Sequence, residues 1–154
     1  MKKRTLVAGI GNVFLGDDGF GVEVATRLLR HTLPDGVRVV DAGIRGRDLA
    51  YELFEGGYDT AILVDAAARG GAPGTVYVIE PEPPRTGNAP APVDAHAINP
   101  EATLAIVQAL GGVSTRILIV GCEPANVDEG IGLSVPVAAA VDQAVGVVRE
   151  LLCA

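Results

Sequence analysis

The stretch that most constrains this chain lies near its start. A short run, Thr5-Leu6-Val7-Ala8, leads directly into Gly9-Ile10-Gly11-Asn12-Val13-Phe14-Leu15-Gly16-Asp17-Asp18-Gly19-Phe20-Gly21, and a helical pattern follows from Val22 to Arg30. The run before the glycines is apolar and short, as a buried strand is. Apolar residues at Val22, Ala25, Leu28 and Leu29 predict a helix with one inward stripe. A strand that feeds a helix through a glycine turn belongs to an α/β architecture.

The turn has the look of a dinucleotide fingerprint but departs from it. G-x-G-x-x-G would need glycine where Phe14 stands. Asp17 and Asp18 also sit where the helix is expected to begin. A helix N-terminus carries roughly half a positive charge, which nucleotide sites direct at phosphate. Here a carboxylate is expected to take that place and to repel a pyrophosphate. One carboxylate can serve as an N-cap; the second needs another explanation.

The rest of the chain continues the alternation. Val37–Val40 reads as a second strand ending at Asp41, Arg47–Phe54 as a helix closed by Gly56-Gly57, and Thr60–Val64 as a third strand ending at Asp65. Then the pattern breaks. About ten residues, rich in glycine, separate the third strand from a fourth at Thr75–Ile79. A parallel crossover needs about a dozen or more, so the fourth strand is expected to run antiparallel, at an edge. Glu80–Ile98 carries Pro81, Pro83, Pro84, Pro90 and Pro92 and reads as a long exposed loop. Asn99-Pro100 predicts a helix start, running to Leu110. Arg116–Gly121 is a fifth strand. Cys122–Gly132 is irregular and acidic, and Ser134 is expected to cap a last helix whose inward face is Val137, Val141, Val145, Val148 and Leu152.

Composition narrows the class. The 154 residues suit one domain, 1–154, and no linker or repeat divides them. Hydrophobic residues make up 49% and aromatics only 4%, so the core must be aliphatic, as in sheets with buried parallel strands. A net charge of −7 argues against nucleic acid and anionic membranes as partners. No apolar run reaches the roughly 18 residues of a membrane span, and Met1-Lys2-Lys3-Arg4 precedes no cleavage site, so a cytoplasmic protein is expected. Cys122 and Cys153 form neither a metal spacing nor a disulfide framework and read as ordinary buried or half-buried thiols.

In such folds ligands bind beyond the carboxyl ends of parallel strands. Gly11–Asp18, Asp41–Gly46, Asp65–Arg69 and Cys122–Asp128 should gather there, bringing Asp17, Asp18, Asp41 and Asp65 to one edge. Of the two histidines, His31 falls at a helix end and reads as exposed surface. His96 falls in the proline-rich stretch and can reach the strand edge. Two carboxylates and one imidazole suit a divalent transition metal, zinc or nickel. Nucleophilic catalysis has little support: there is no G-x-S-x-G, and nothing lowers the pKa of Cys122.

Taken in order, Gly9-Ile10-Gly11-Asn12, Gly16-Asp17-Asp18-Gly19-Phe20-Gly21, Asp41–Gly46, Leu63-Val64-Asp65-Ala66, Asp94-Ala95-His96, Gly121-Cys122-Glu123-Pro124 and Gly130–Ser134 resemble the hydrogenase maturation endopeptidases over nearly the whole chain. The resemblance implies an enzyme that removes a short C-terminal peptide from the large-subunit precursor of nickel–iron hydrogenase after nickel insertion. It implies that the substrate's nickel is part of what is recognised, with zinc or another divalent ion able to bind in vitro. It implies Asp18, Asp65 and His96 as the metal-binding and catalytic residues. It also implies a three-layer α/β/α sandwich, phosphorylase/hydrolase-like, with a mixed five-stranded sheet and one antiparallel strand. Two positions depart from the family pattern: Asp18 stands where Glu is frequent, and Ile44 where Thr is frequent. The shorter side chain should draw a metal toward the turn.

Two other readings compete. A Rossmann-like nucleotide-binding protein would use Asp41 as its ribose acid. A non-catalytic nickel-binding maturation chaperone would keep the same ligands without cleavage.

Overall fold

The structure is a computed structural model, described here for residues 3–44, 46–80 and 115–153. In chain order the elements are β1 (Thr5–Ile10), one 3-10 turn (Gly16–Gly19), α1 (Phe20–Leu28), β2 (Val37–Gly43), α2 (Gly46–Glu55), β3 (Thr60–Ala66), β4 (Val76–Ile79), β5 (Arg116–Cys122) and α3 (Val135–Cys153). The predicted proline-rich loop, His96 within it, and the helix expected from Asn99 to Leu110 lie outside the described residues.

The strands form one sheet in the order β2-β1-β3-β5-β4. The first three pairings are parallel and β4 pairs antiparallel with β5. The short connection after β3 therefore does what its length demands. It carries the chain past the neighbouring position to the sheet edge and reverses it, with no crossover helix.

Side-chain alternation along the buried strands sends each residue type to one of two cores. Val7, Ile62, Val64, Leu118 and Val120 face α1 and α3, where they meet Phe20, Val24, Leu28, Val141 and Val148. Leu6, Ala8, Ala61, Leu63, Ile117 and Ile119 face α2 and its Leu49 and Leu53. The result is the expected three-layer α/β/α sandwich.

Two details of α1 differ from expectation. The helix begins at Phe20, after the 3-10 turn, and its buried face is Phe20, Val24, Ala25 and Leu28. Leu29 lies past the end and is exposed. Backbone contact sets this phase. A Cβ on Gly21 would lie 2.0 Å from the Val64 carbonyl oxygen, so the helix start rests directly on the sheet. The inward face of α3 matches its pattern through Val148, with Leu152 half-buried.

Candidate active site

The chain leaves β1 for β2 on one side and returns to β3 on the other, so the loops after β1 and β3 diverge. Such a switch in strand order opens a crevice at the carboxyl edge of the sheet. Asp18 stands in the loop after β1 and Asp65 near the end of β3, on either side of it.

The turn that carries Asp18 is folded tightly on itself. Asn12 Oδ1 accepts the Phe14 N–H at 2.9 Å, and the Asn12 N–H donates to Asp18 Oδ2 at 2.8 Å. Gly11 is required by close approach and by its φ of +135°: a Cβ there would meet the Asp18 carbonyl oxygen at 1.8 Å and Asp65 Oδ1 at 3.4 Å. The Asp65 carboxyl thus lies against the turn that presents Asp18. The gathered edge extends to β2, since the Gly11 N–H donates to the Gly43 carbonyl at 3.0 Å. Asp41 is exposed there, beside Gly9 in register.

Asp65 was expected where the strand reaches the surface. The strand instead runs on to Ala66, and Asp65 is only 2% exposed. Burial, and after it the neighbouring charge of Asp18, push its carboxyl well above the ordinary range, against the pull of the Ala66 N–H. A buried acid facing a like charge favours a proton or a cation between the two. This donor chemistry fits a divalent ion, with two oxygens contributed by the described residues. Among those residues no group of three or more His, Cys, Asp or Glu gathers to hold a metal. The third expected ligand, His96, falls outside them.

Asp17 and Asp18 were both expected near the helix start, one as a cap. Neither caps α1, whose N-cap is Gly19 without a side-chain bond. Asp17 turns away from Asp18 and is fully buried. Its Oδ2 accepts the backbone N–H groups of Ala125 and Asn126 at 2.8 and 3.0 Å, and Ser134 supplies the remaining donors. Burial alone would raise its pKa, but these donors outweigh it and hold Asp17 below the ordinary carboxylate value. Ser134 precedes α3 as expected, but its hydroxyl proton goes to Asp17.

Glu123 stands in one of the blocks that carry the resemblance, but the sequence assigned it no role. Its Oε1 accepts the N–H groups of Arg69 and Gly71, both at 2.8 Å, and the Tyr77 hydroxyl at 2.9 Å. The Arg69 N–H leads the group of donors that hold this buried carboxylate below its ordinary pKa. Glu123 thereby fixes the loop that follows Asp65. Apart from that block, its signal was an acid directly after a buried strand.

The cysteines divide. Cys153 is exposed, contrary to expectation, because the last helical turn carries it past the core. Cys122 is buried, and burial, with the charges of Asp17 and Glu123, pushes its thiol up to about 11. Such a thiol is the opposite of a nucleophile. The nucleotide reading also fails on geometry: the Asp18 carboxylate already takes the Asn12 N–H in the glycine turn, where a phosphate would need donors.

Fold and site together define an α/β protein with a buried carboxyl, Asp65, beside the half-buried Asp18 at its switch point. Residues 22–150 match the hydrogenase maturation protease family, and the chain belongs to that family. The hydrogenase 2 maturation protease of Escherichia coli is 30% identical over 155 residues, covering 96% of this chain and 92% of that protein. Among solved structures, the hydrogenase maturating endopeptidase HybD from Escherichia coli superposes with a TM-score of 0.77 at 26% identity, covering 97% of this chain and 91% of that one. The hydrogenase 2 maturation peptidase of a Thaumarchaeota archaeon gives 0.73 at 31% identity, covering 97% and 98%. Among the described residues no helix is long and apolar enough to cross a membrane.

Proposed function

We propose that this protein is the endopeptidase that removes the C-terminal extension of a nickel–iron hydrogenase large-subunit precursor once nickel has been inserted. One observation carries the reading: in a chain of this family, the Asp65 carboxyl is buried beside Asp18 at the sheet switch point. Burial costs a carboxylate least when a cation stands against it.

The nickel is the substrate's. Asp18, Asp65 and His96 offer two oxygens and one nitrogen, which leaves coordination positions open. They include no thiolate, the soft ligand a dedicated nickel carrier would use. In this reading the three residues complete the shell of an ion that the precursor already holds, so insertion of nickel becomes the condition for cleavage. The residues of this chain orient the precursor's metal-bearing end: the Asn12 N–H fixes Asp18, the Ala66 N–H fixes Asp65, and Glu123 fixes the loop beyond it. A resident zinc that activates water would use the same ligands.

Intact-mass measurement of nickel-loaded precursor before and after incubation tests the reading. Loss of one C-terminal peptide supports the endopeptidase. Binding without a change in mass would favour the non-catalytic nickel chaperone.

A further inference from the structure

Among the described residues eleven large apolar side chains stand exposed, and six lie on two segments: Val13, Phe14 and Leu15, and Val127, Ile131 and Val135. These segments form one surface. The Gly16 N–H donates to the Gly130 carbonyl at 2.9 Å and the Gly130 N–H to the Phe14 carbonyl at 2.8 Å, so that Leu15 pairs with Gly130 in a parallel bridge. Asp17 ties the same two segments together from beneath.

Ile131 is 82% exposed and lies between Gly130 (φ +155°) and Gly132 (φ +107°). A Cβ on either glycine would meet nothing within 4 Å. These glycines therefore serve the backbone conformation that presents Ile131, not a close approach. Phe14 stands four residues before Asp18, in the turn whose Asn12 N–H holds the Asp18 carboxylate.

We propose that this apolar surface docks an extended stretch of the precursor polypeptide, its apolar side chains bordered by lysine or arginine, and delivers the adjoining chain to Asp18. The proposal rests on the endopeptidase reading above. Charge selects the occupant. Asp128 and Glu129 are exposed between Val127 and Ile131, and the whole chain carries −7. An apolar centre with an acidic rim suits a basic-flanked polypeptide. A second copy would set acid against acid, and an anionic lipid surface would be repelled. Because both segments are already tied to each other and to Asp17, little ordering remains to be done on binding.

The test is steady-state cleavage of nickel-loaded precursor by Phe14→Ser/Ile131→Ser. Both side chains are exposed, so the melting curve should match wild type; Phe14→Ala alone is the milder companion. KM is expected to rise at least about tenfold with kcat within about twofold. Asp128→Lys/Glu129→Lys should also raise KM, by a factor that shrinks as salt is added. If the wild type does not cleave the precursor, the endopeptidase reading fails. If the wild type cleaves and the double variant keeps its KM, the docking surface is wrong. A wild-type dimer in sedimentation that the double variant breaks, with KM unchanged, would assign the surface to a second copy and overturn the proposal.

Discussion

Ser134 holds the Asp17 carboxylate twice: its backbone N–H donates to Oδ1 at 2.7 Å and its hydroxyl to Oδ2 at 2.8 Å. This pair closes the chain between β5 and α3 onto the glycine turn, and so supports the crevice wall that carries Asp18.

Asp17→Asn replaces an acceptor of four hydrogen bonds with a side chain that must turn a donor toward donors. A loss of roughly 2–4 kcal/mol is expected, read as a lower denaturation midpoint. The pH dependence follows from the lowered pKa of Asp17. Its contribution is present above the ordinary carboxylate range and lost as pH falls through the folded-state value. The variant should therefore show a flatter acid limb than wild type.

Asp65 has the opposite sign. Its folded-state pKa is raised, so its contribution to stability is fully present below the ordinary value and lost as pH rises through the folded one. In metal-free protein at pH 8, Asp65→Asn should melt at or above the wild-type temperature while losing processing. A lower melting temperature would show that the buried charge is already compensated within the protein.

Gly21→Ala should fail to fold, or lose more than about 3 kcal/mol, because the Val64 carbonyl occupies the Cβ position and backbone cannot move aside cheaply. Circular dichroism on the expressed protein checks this.

How far the sequence could be read varies by element. The antiparallel β4 followed from the length of one connection, but its pairing with β5 did not, since that partner lies about 40 residues away in sequence. The phase of α1 was misjudged because a backbone contact at Gly21, rather than the apolar pattern, sets it. Asp65 was legible as an acid closing a buried strand; its burial was not, because β3 runs one turn of the pleat further than its apolar run. Asp17 registered as a surplus carboxylate. Its role depends on Ser134, 117 residues away, which no local pattern reveals.

Processing should be indifferent to thiol chemistry. Alkylation should label Cys153 in the native protein and spare Cys122, whose thiol is buried and raised to about 11. Cleavage should survive both alkylation and Cys122→Ala, the latter at a stability cost of about 1 kcal/mol for the small cavity. Loss of activity on labelling Cys153 would point to a thiol role.

His96→Ala should abolish cleavage, and Asp41→Ala should retain it, as peptide release measured by mass will show. Equal loss in both would move the site toward β2 and away from the switch point.

Ownership of the metal is read most directly by one assay. The protein is stripped with chelator, returned to metal-free buffer, and incubated with nickel-loaded and with nickel-free precursor, with release of the C-terminal peptide followed by mass spectrometry. Cleavage of the nickel-loaded precursor alone is the expected result. Cleavage of the nickel-free precursor by zinc-reconstituted enzyme would contradict it, and would make Asp18, Asp65 and His96 the ligands of a resident ion.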